Sequence, residues 1–187
     1  MILFIIGILF GIIVGTIRRG SIFRLNSLRW LWIAILPLVQ VLLLKYYPTI
    51  PLLPKAAVTT FSYVCVMTFV VANRKYKIPA VFLGLGTLCN YLVIAANSFR
   101  MPISVKALSI YSTMTPEAVI AQRADYFVAT DGANFLFLGD VIYFPIKVLD
   151  GFMSVGDILL AVGMFFLIVQ VMGKNCFSSK KTSEKSN

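Results

Sequence analysis

Long apolar runs without charge alternate along the chain with short segments that hold most of the charged residues. The uncharged runs cover residues 2–17, 30–44, 56–72, 78–99 and 158–173. A membrane-spanning helix needs about 20 mainly apolar residues, so these runs suffice when interfacial residues at their ends are included. The pattern predicts an all-α fold, a polytopic membrane helix bundle with about five transmembrane helices. We place the predicted spans near residues 2–17, 29–46, 55–73, 78–98 and 155–173.

The composition also favours a membrane location. Apolar side chains make up 59% of the 187 residues, against roughly 45–50% in soluble domains. No basic residue precedes the first predicted span, whereas Arg18 and Arg19 follow it, which is the reverse of the order in a secretory signal peptide. We therefore expect a single membrane-embedded domain over residues 1–173. Residues 174–187 are predicted to form a disordered basic cytoplasmic tail.

Lysine and arginine cluster after the first, third and fifth predicted spans, and short loops rich in these residues face the cytoplasm. The acidic residues lie mainly in the connection before the last span, at Glu117, Asp125, Asp131, Asp140, Asp150 and Asp157. The pattern predicts a plasma-membrane protein with its N-terminus outside and its C-terminus in the cytoplasm. Because the cations flank predicted helices, they indicate anionic lipids at the cytoplasmic face as a partner, and nucleic acid is not predicted.

Two predicted spans carry patterns of small or polar residues. Gly7, Gly11 and Gly15 form a G-x-x-x-G-x-x-x-G ridge on the first span, which lets another helix backbone approach closely. Packing within the chain is the favoured interpretation, with a membrane-protein partner or a homo-oligomer as the alternative. On the fourth span a polar stripe at Gly86, Thr87, Asn90 and Asn97 predicts either hydrogen bonding between helices or a ligand-lined groove. The ligand-binding candidates are Thr87, Asn90, Asn97, Arg100 and Asp140.

The connection over residues 99–154 is the only long segment between predicted spans. Thr115-Pro116-Glu117 is a favourable helix start, and we expect an extracytoplasmic amphipathic helix from there to Val128. Residues 134–148 are too short and interrupted to span as one helix. They are predicted to form a re-entrant segment, an interfacial segment or part of a sixth span.

Two Gly-Asp pairs lie at the edge of apolar sequence. Ser154 and Asp157 match the S-x-x-D form of a helix capping box, which favours a structural role for Asp157. Asp140 is surrounded by apolar residues and therefore needs a partner. An ion pair with Arg100, Arg123 or Lys147 and a functional site are equally favoured.

Asp140 and Asp157 are also the candidate catalytic residues, one protonated and one ionised. Intramembrane aspartyl proteases use a G-x-G-D motif, and neither Gly-Asp pair here carries its first glycine. The chain has no histidine and three scattered cysteines, Cys65, Cys89 and Cys176, so we predict no metal site of the Cys/His kind. No cofactor is predicted.

Three motifs resemble those of a bacterial family of small multispanning membrane proteins known only as a domain of unknown function. They are Arg100-Met101-Pro102-Ile103-Ser104, Phe137-Leu138-Gly139-Asp140 after Thr130, and Ser154-Val155-Gly156-Asp157-Ile158-Leu159-Leu160. Members carry a Gly-Gly pair shortly before Met-Pro, where this chain has Ser98-Phe99. The resemblance implies a bacterial membrane protein of this architecture and no known activity.

These observations favour a non-enzymatic accessory membrane protein that binds a ligand or a partner. The first alternative is a membrane-surface enzyme that uses Asp140, with Asp157, as acid or base. The second is a small-solute transporter subunit, although the usual expectation for such subunits is six spans with both ends inside.

Overall fold

The computed structural model describes residues 2–37, 40, 51–109, 126–129, 132–144 and 151–173, and this part of the chain is mostly helical. The long helices are α1 (Ile2–Ile17), α2 (Leu52–Ala72), α3 (Lys77–Ala96) and α5 (Val155–Met172). A short helix, α4, covers Val105–Ser109. Helices α2, α3 and α5 are long and apolar enough to cross a membrane, whereas α1 is apolar but shorter. The predicted tail over residues 174–187 lies outside the described residues.

The glycine ridge of α1 lies against α5. A Cβ atom at Gly7 would meet the backbone of Ala161, and a Cβ atom at Gly15 would lie 2.8 Å from the sulfur of Met172. Gly11 lies between them and also faces α5. The contacts advance in the same direction along both helices, so α1 and α5 are parallel. This face of α1 is therefore occupied by another helix of the same chain.

Helix α3 runs antiparallel to α5 at a short distance. A Cβ atom at Gly86 would lie 2.7 Å from the carbonyl oxygen of Gly156, and one at Gly163 would lie 2.8 Å from the backbone nitrogen of Leu83. Backbones approach this closely only where no side chain intervenes, so glycines on both helices set the crossing. Apolar side chains from the neighbouring elements complete the core, at Leu28, Phe69, Val70, Leu83, Leu167 and Val171.

The segment that follows α1 contacts the ends of both α5 and α2. The Arg24 guanidinium donates a hydrogen bond to the carbonyl oxygen of Gly173 at 2.7 Å. The Asn73 side chain accepts from the Arg29 amide at 3.0 Å and donates to the Arg29 carbonyl at 2.9 Å. This end of the bundle, which we call the basic end, carries Arg18, Arg19, Arg24, Arg29, Arg74 and Lys75.

The second predicted span differs from the structure at its start. Two 3-10 helices, Ile22–Ser27 and Leu31–Ile35, replace a continuous helix beginning near residue 29. Trp30 lies between them with φ 57° and ψ 37°, a left-handed conformation that interrupts an α-helix. Leu36, Pro37 and Gln40 are α-helical, and Pro37 is tolerated there because the first turn of a helix does not need its N–H group. Most of residues 38–46 lie outside the described residues.

The connection between α3 and α5 contains two small sheets, so the all-α prediction needs correction. Strand β1 (Met101–Ser104) pairs in parallel with β2 (Tyr126–Ala129), and β3 (Ile142–Phe144) pairs antiparallel with β4 (Gly151–Met153). A 3-10 helix at Leu136–Leu138 precedes β3, so residues 132–144 are not a spanning helix. We call the described residues between 97 and 153 the cap, and the bundle end beneath them the cap end.

The predicted amphipathic helix is wrong at its end, because Phe127 and Val128 lie in β2. Aromatic and β-branched residues suit a strand wherever a neighbouring strand is present. Here β1 supplies the neighbour from a distant part of the sequence, which local periodicity does not reveal. The predicted start at Thr115 lies outside the described residues.

Candidate functional site

A capping box begins α5 at the cap end, as the sequence predicts. The Ser154 hydroxyl accepts from the Asp157 amide at 3.0 Å, and the Asp157 Oδ2 atom accepts from the Ser154 amide at 3.3 Å. Both bonds satisfy amide groups that otherwise lack partners at the first turn of a helix. The box therefore fixes the position of the Asp157 carboxylate.

Asn90 joins this box to α3. Its side-chain amide donates to the Oδ1 atom of Asp157 at 2.9 Å, and its Oδ1 atom accepts from the Ser154 hydroxyl at 2.8 Å. Ser154 is fully buried and Asn90 is 5% exposed. The short distance between Gly86 and Gly156 allows these side chains to meet. Both oxygens of Asp157 thus accept hydrogen bonds from the protein itself, which indicates a structural role.

The other polar residues of the predicted stripe, Thr87 on α3 and Asn97 directly after it, are also bonded within the protein. The buried Thr87 hydroxyl donates to the Leu83 carbonyl at 2.6 Å. Asn97 donates to the carbonyl oxygen of Asn134 at 2.8 Å and accepts from the Asn134 amide at 3.0 Å. The polar stripe of α3 therefore ties the helix to itself, to α5 and to the cap.

Asp140 is placed in the cap by its backbone and is 1% exposed. Its amide donates to the Pro102 carbonyl at 2.9 Å, and its carbonyl accepts from the Ser104 amide at 3.2 Å. These bonds form a parallel bridge opposite Ile103. The preceding Gly139 allows this approach, since a Cβ atom there would lie 2.7 Å from the Pro102 oxygen. Asp140 is thus buried beside strand β1 of the cap. It also has an interaction within the protein beyond these backbone bonds.

Tyr63 on α2 is a polar side chain that sequence reasoning did not select. The carboxylates of Asp140 and Asp157 both lie within electrostatic range of the Tyr63 hydroxyl. The Tyr63 ring packs on Tyr91 of α3 with 5.3 Å between centroids, and the Tyr91 hydroxyl lies 3.1 Å from that of Thr60. Both candidate catalytic residues therefore influence the same phenol electrostatically.

Sequence reasoning also missed a buried polar stripe on α2. Lys55, Thr59 and Ser62 are buried and recur at helical spacing, so the periodicity of polar residues could have identified them. The remaining candidate, Arg100, is exposed and lies at the start of the cap. The other two predicted ion-pair partners of Asp140, which are Arg123 and Lys147, lie outside the described residues. Within the described ranges, no group of three or more metal-ligating side chains occurs.

Comparison with known proteins identifies one family. The family model described as "Family of unknown function (DUF5317)" matches residues 23–169. The chain belongs to this family. The DUF5317 match runs from the first 3-10 helix into α5 and therefore includes Asn90, the capping box of Ser154 and Asp157, and the cap. No curated protein and no solved structure matches the chain.

The turn between α3 and β1 has an unusual backbone. Ser98 and Phe99 have φ angles of 55° and 56°, a left-handed conformation that glycine adopts without steric cost and other residues adopt at a cost. This is the position at which the resemblance noted above points to a Gly-Gly pair in DUF5317 members. The geometry explains why glycine suits it.

Ser98→Gly is expected to raise the free energy of unfolding by about 0.5–1 kcal/mol. Glycine relieves the left-handed strain of the folded chain, and this gain exceeds the opposing effect of the larger conformational entropy that glycine gives the unfolded chain. Thermal unfolding in detergent measures the change. Ser109→Gly is the matched control, because Ser109 is also exposed but does not have a positive φ. Equal shifts for the two variants would contradict the role assigned to backbone strain.

Asp157→Ala is expected to lower the free energy of unfolding by about 2 kcal/mol, because it removes a helix cap and the bond to Asn90. Asp157→Glu should recover more than half of this loss, since glutamate is the usual capping-box residue at the third helical position. Denaturant unfolding of the two purified variants compares the effects. If Asp157→Ala is as stable as the wild type, Asp157 does not have the structural role proposed for it.

Proposed function

We propose that the protein is a non-enzymatic, five-span protein of the bacterial cell membrane whose cap binds another membrane protein. Its N-terminus lies outside and its C-terminus in the cytoplasm, so that the cap is extracytoplasmic. The proposal combines the apolar helices, the DUF5317 membership and the surfaces that the cap exposes. Three features support it in turn: chain direction, charge distribution and an exposed aromatic pair.

The chain direction supports five crossings. Arg29 lies at the basic end, where its backbone bonds to Asn73, whereas α2 begins with Leu52 at the opposite end. Gln40 lies between them in sequence and donates to the Thr59 hydroxyl, two turns into α2, at 3.2 Å. The described residues on either side of this segment, Arg29 and Leu52, therefore lie at opposite ends of the bundle. We propose that the segment between them makes the fifth crossing, in addition to α1, α2, α3 and α5.

The charge distribution supports the orientation. Most of the described arginine and lysine residues lie at the basic end, whereas Lys55, Arg100 and Lys106 lie with Asp140 and Asp157 toward the cap end. Basic loops remain in the cytoplasm, so the cap faces outward. In cells with Cys65 and Cys89 changed to serine, an impermeant maleimide should label a Ser109→Cys variant in the cap. It should label Cys176 only after the membrane is opened, and labelling of Cys176 in intact cells would overturn the orientation.

The observation that carries the binding proposal is an aromatic pair exposed on the cap. Phe137 is 67% exposed and Phe135 is 45% exposed, with their rings edge to face at 6.4 Å between centroids. Phe135 has a left-handed φ of 53°, and strained backbone is retained mainly where function or packing requires it. Exposed aromatic residues are typical of protein interfaces. The cap thus buries its carboxylate at Asp140 and presents aromatic surface instead.

A photo-crosslinking amino acid at Phe137 tests this proposal in intact cells. We expect a discrete protein adduct, which Phe135→Ala should weaken because it removes half of the aromatic pair. The control carries the crosslinker at Leu88, which is 55% exposed on α3 and should give lipid adducts. Lipid adducts alone at both positions would show that the aromatic pair is a membrane anchor, and the partner-binding proposal would fail.

One observation favours catalysis as a second candidate function, namely that Asp140 and Asp157 both interact electrostatically with Tyr63. Two carboxylates near a phenol resemble the acid and base groups of enzymes. Wild type and Asp140→Asn, incubated with a bacterial lipid extract and compared by mass spectrometry, separate the candidates. A product made by wild type alone would favour the enzyme, whereas identical extracts and a retained Phe137 adduct would favour binding.

A further inference from the structure

A groove opens beside α2 near the basic end. Its wall on α2 is formed by Val64, Met67, Thr68 and Val71, and its volume is about 380 Å³. Val64 and Val71 are 55% and 54% exposed, so the groove opens sideways along the helix. Ligand pockets have volumes of about 300–1,000 Å³. The groove is therefore large enough to hold a segment of an acyl chain.

Arg29 and Trp30 form the other side of the groove. Two hydrogen bonds to the Asn73 side chain hold the Arg29 backbone, at 3.0 and 2.9 Å. The left-handed conformation of Trp30 turns the chain directly after it. The groove thus has an apolar wall on α2 and, at its basic end, an exposed guanidinium on a fixed backbone. This arrangement matches an amphiphile with a negative headgroup.

The surrounding charge is positive. Arg74 and Lys75 follow α2 at the same end and are exposed, and no acidic residue precedes Glu117 in the chain. The acidic side chains that the structure describes, Asp140 and Asp157, lie at the cap end. Arginine binds a phosphodiester through paired N–H donors. The positive charge at this end of the bundle therefore favours binding of an anion that is not part of the chain.

We propose that this groove binds one anionic phospholipid of the adjacent leaflet. An acyl chain lies along the α2 wall from Val64 to Val71, and the phosphate lies at Arg29. Basic pockets beside membrane helices commonly recognise anionic headgroups in this way. The site lies at the opposite end from the cap, so the proposal does not depend on partner binding by Phe135 and Phe137.

Native mass spectrometry of the purified full chain tests the site with phosphatidylglycerol and phosphatidylcholine of identical acyl chains. We expect phosphatidylglycerol to bind about tenfold more tightly, because both lipids carry the phosphate but the choline cation of phosphatidylcholine is repelled by the positive charge at this end of the bundle. Arg29→Gln should weaken phosphatidylglycerol binding about fivefold, the effect of one cation near a lipid phosphate. Arg18→Gln is the matched control, since Arg18 is exposed at the same end without lining the groove, and it should change binding less than twofold.

A second variant tests the apolar wall. Val71→Trp fills the groove without removing charge, and it should weaken binding of both lipids. Glycerol phosphate added in excess should not displace the lipid, because it lacks the acyl chain. Equal effects of Arg29→Gln and Arg18→Gln, or unchanged binding in Val71→Trp, would overturn the proposal. Thermal unfolding without added lipid shows that each variant is folded.

Discussion

Gly86→Ala is expected to lower the free energy of unfolding by about 3 kcal/mol, at the upper end of the usual cost of overpacking. The added Cβ would lie 2.7 Å from the Gly156 carbonyl oxygen and 2.9 Å from the Leu160 amide nitrogen. Both atoms belong to the backbone of α5, so no side-chain rotation relieves the overlap. The two helices must separate, and separation also weakens the bonds from Asn90 to Ser154 and Asp157.

Gly84→Ala is the matched control for this prediction. Gly84 lies on the same helix, but a Cβ atom there would meet only Val70, at an ordinary distance of 3.9 Å. Alanine should raise stability by about 0.5–1 kcal/mol there, because glycine loses more chain entropy in a helix. Thermal unfolding in one detergent compares the variants. Similar stabilities of Gly86→Ala and Gly84→Ala would show that the α3–α5 crossing is looser than the structure indicates.

Local sequence signals predicted the parts of the structure that depend on local physics. The capping box at Ser154 and Asp157 requires residues within one turn, and the structure contains both of its hydrogen bonds. The apolar runs predicted helices that correspond to α2, α3 and α5, because burial in lipid requires continuous apolar length. Periodicity also selected Asn90, although it could not distinguish a ligand from another helix as its partner.

The remaining features depend on contacts between distant parts of the chain. Strands β1 and β2 exist because Met101 pairs with Tyr126 across a long connection, and their short apolar sequences carry no helix or strand periodicity of their own. Asn97 bonds to Asn134, which is equally remote. The electrostatic interaction of Tyr63 with Asp140 and Asp157 likewise joins residues that are far apart in the sequence. No local pattern specifies such partners.

Backbone conformation was the other source of error. Trp30, Ser98 and Phe135 all have left-handed φ angles, which propensity assigns to glycine rather than to these residues. Each lies where the chain turns sharply: before a 3-10 helix, after α3 or within the cap. The predicted second helix fails at Trp30 for this reason. Tertiary contacts offset the steric cost of these left-handed conformations. Such contacts join distant parts of the chain, so the local sequence does not predict them.

The glycine ridge of α1 yields the last prediction. Lipid tails are as apolar as the side chains they surround, so helices in a membrane associate through close van der Waals packing rather than the hydrophobic effect. At Gly11 a Cβ atom would already lie 2.9 Å from the Ile168 Cβ atom and 3.2 Å from the Phe165 carbonyl oxygen. Gly11→Leu adds three further carbons at this point. It should separate α1 from α5 and cost more than about 3 kcal/mol.

Leu9→Ala is the control for Gly11→Leu. Leu9 lies on the same helix and is 54% exposed, so its truncation removes contacts mainly with lipid and should change stability by less than about 0.5 kcal/mol. The measurement is the fraction of each purified variant that stays monodisperse on heating in detergent.

Because α1 precedes the segment that matches DUF5317, Gly11→Leu should detach α1 while the crossing at Gly86 and the bonds of Asn90 persist. A cysteine pair placed across α3 and α5 would still form a disulfide in that variant. Equal stability of Gly11→Leu and Leu9→Ala would mean that the ridge does not hold α1 in place.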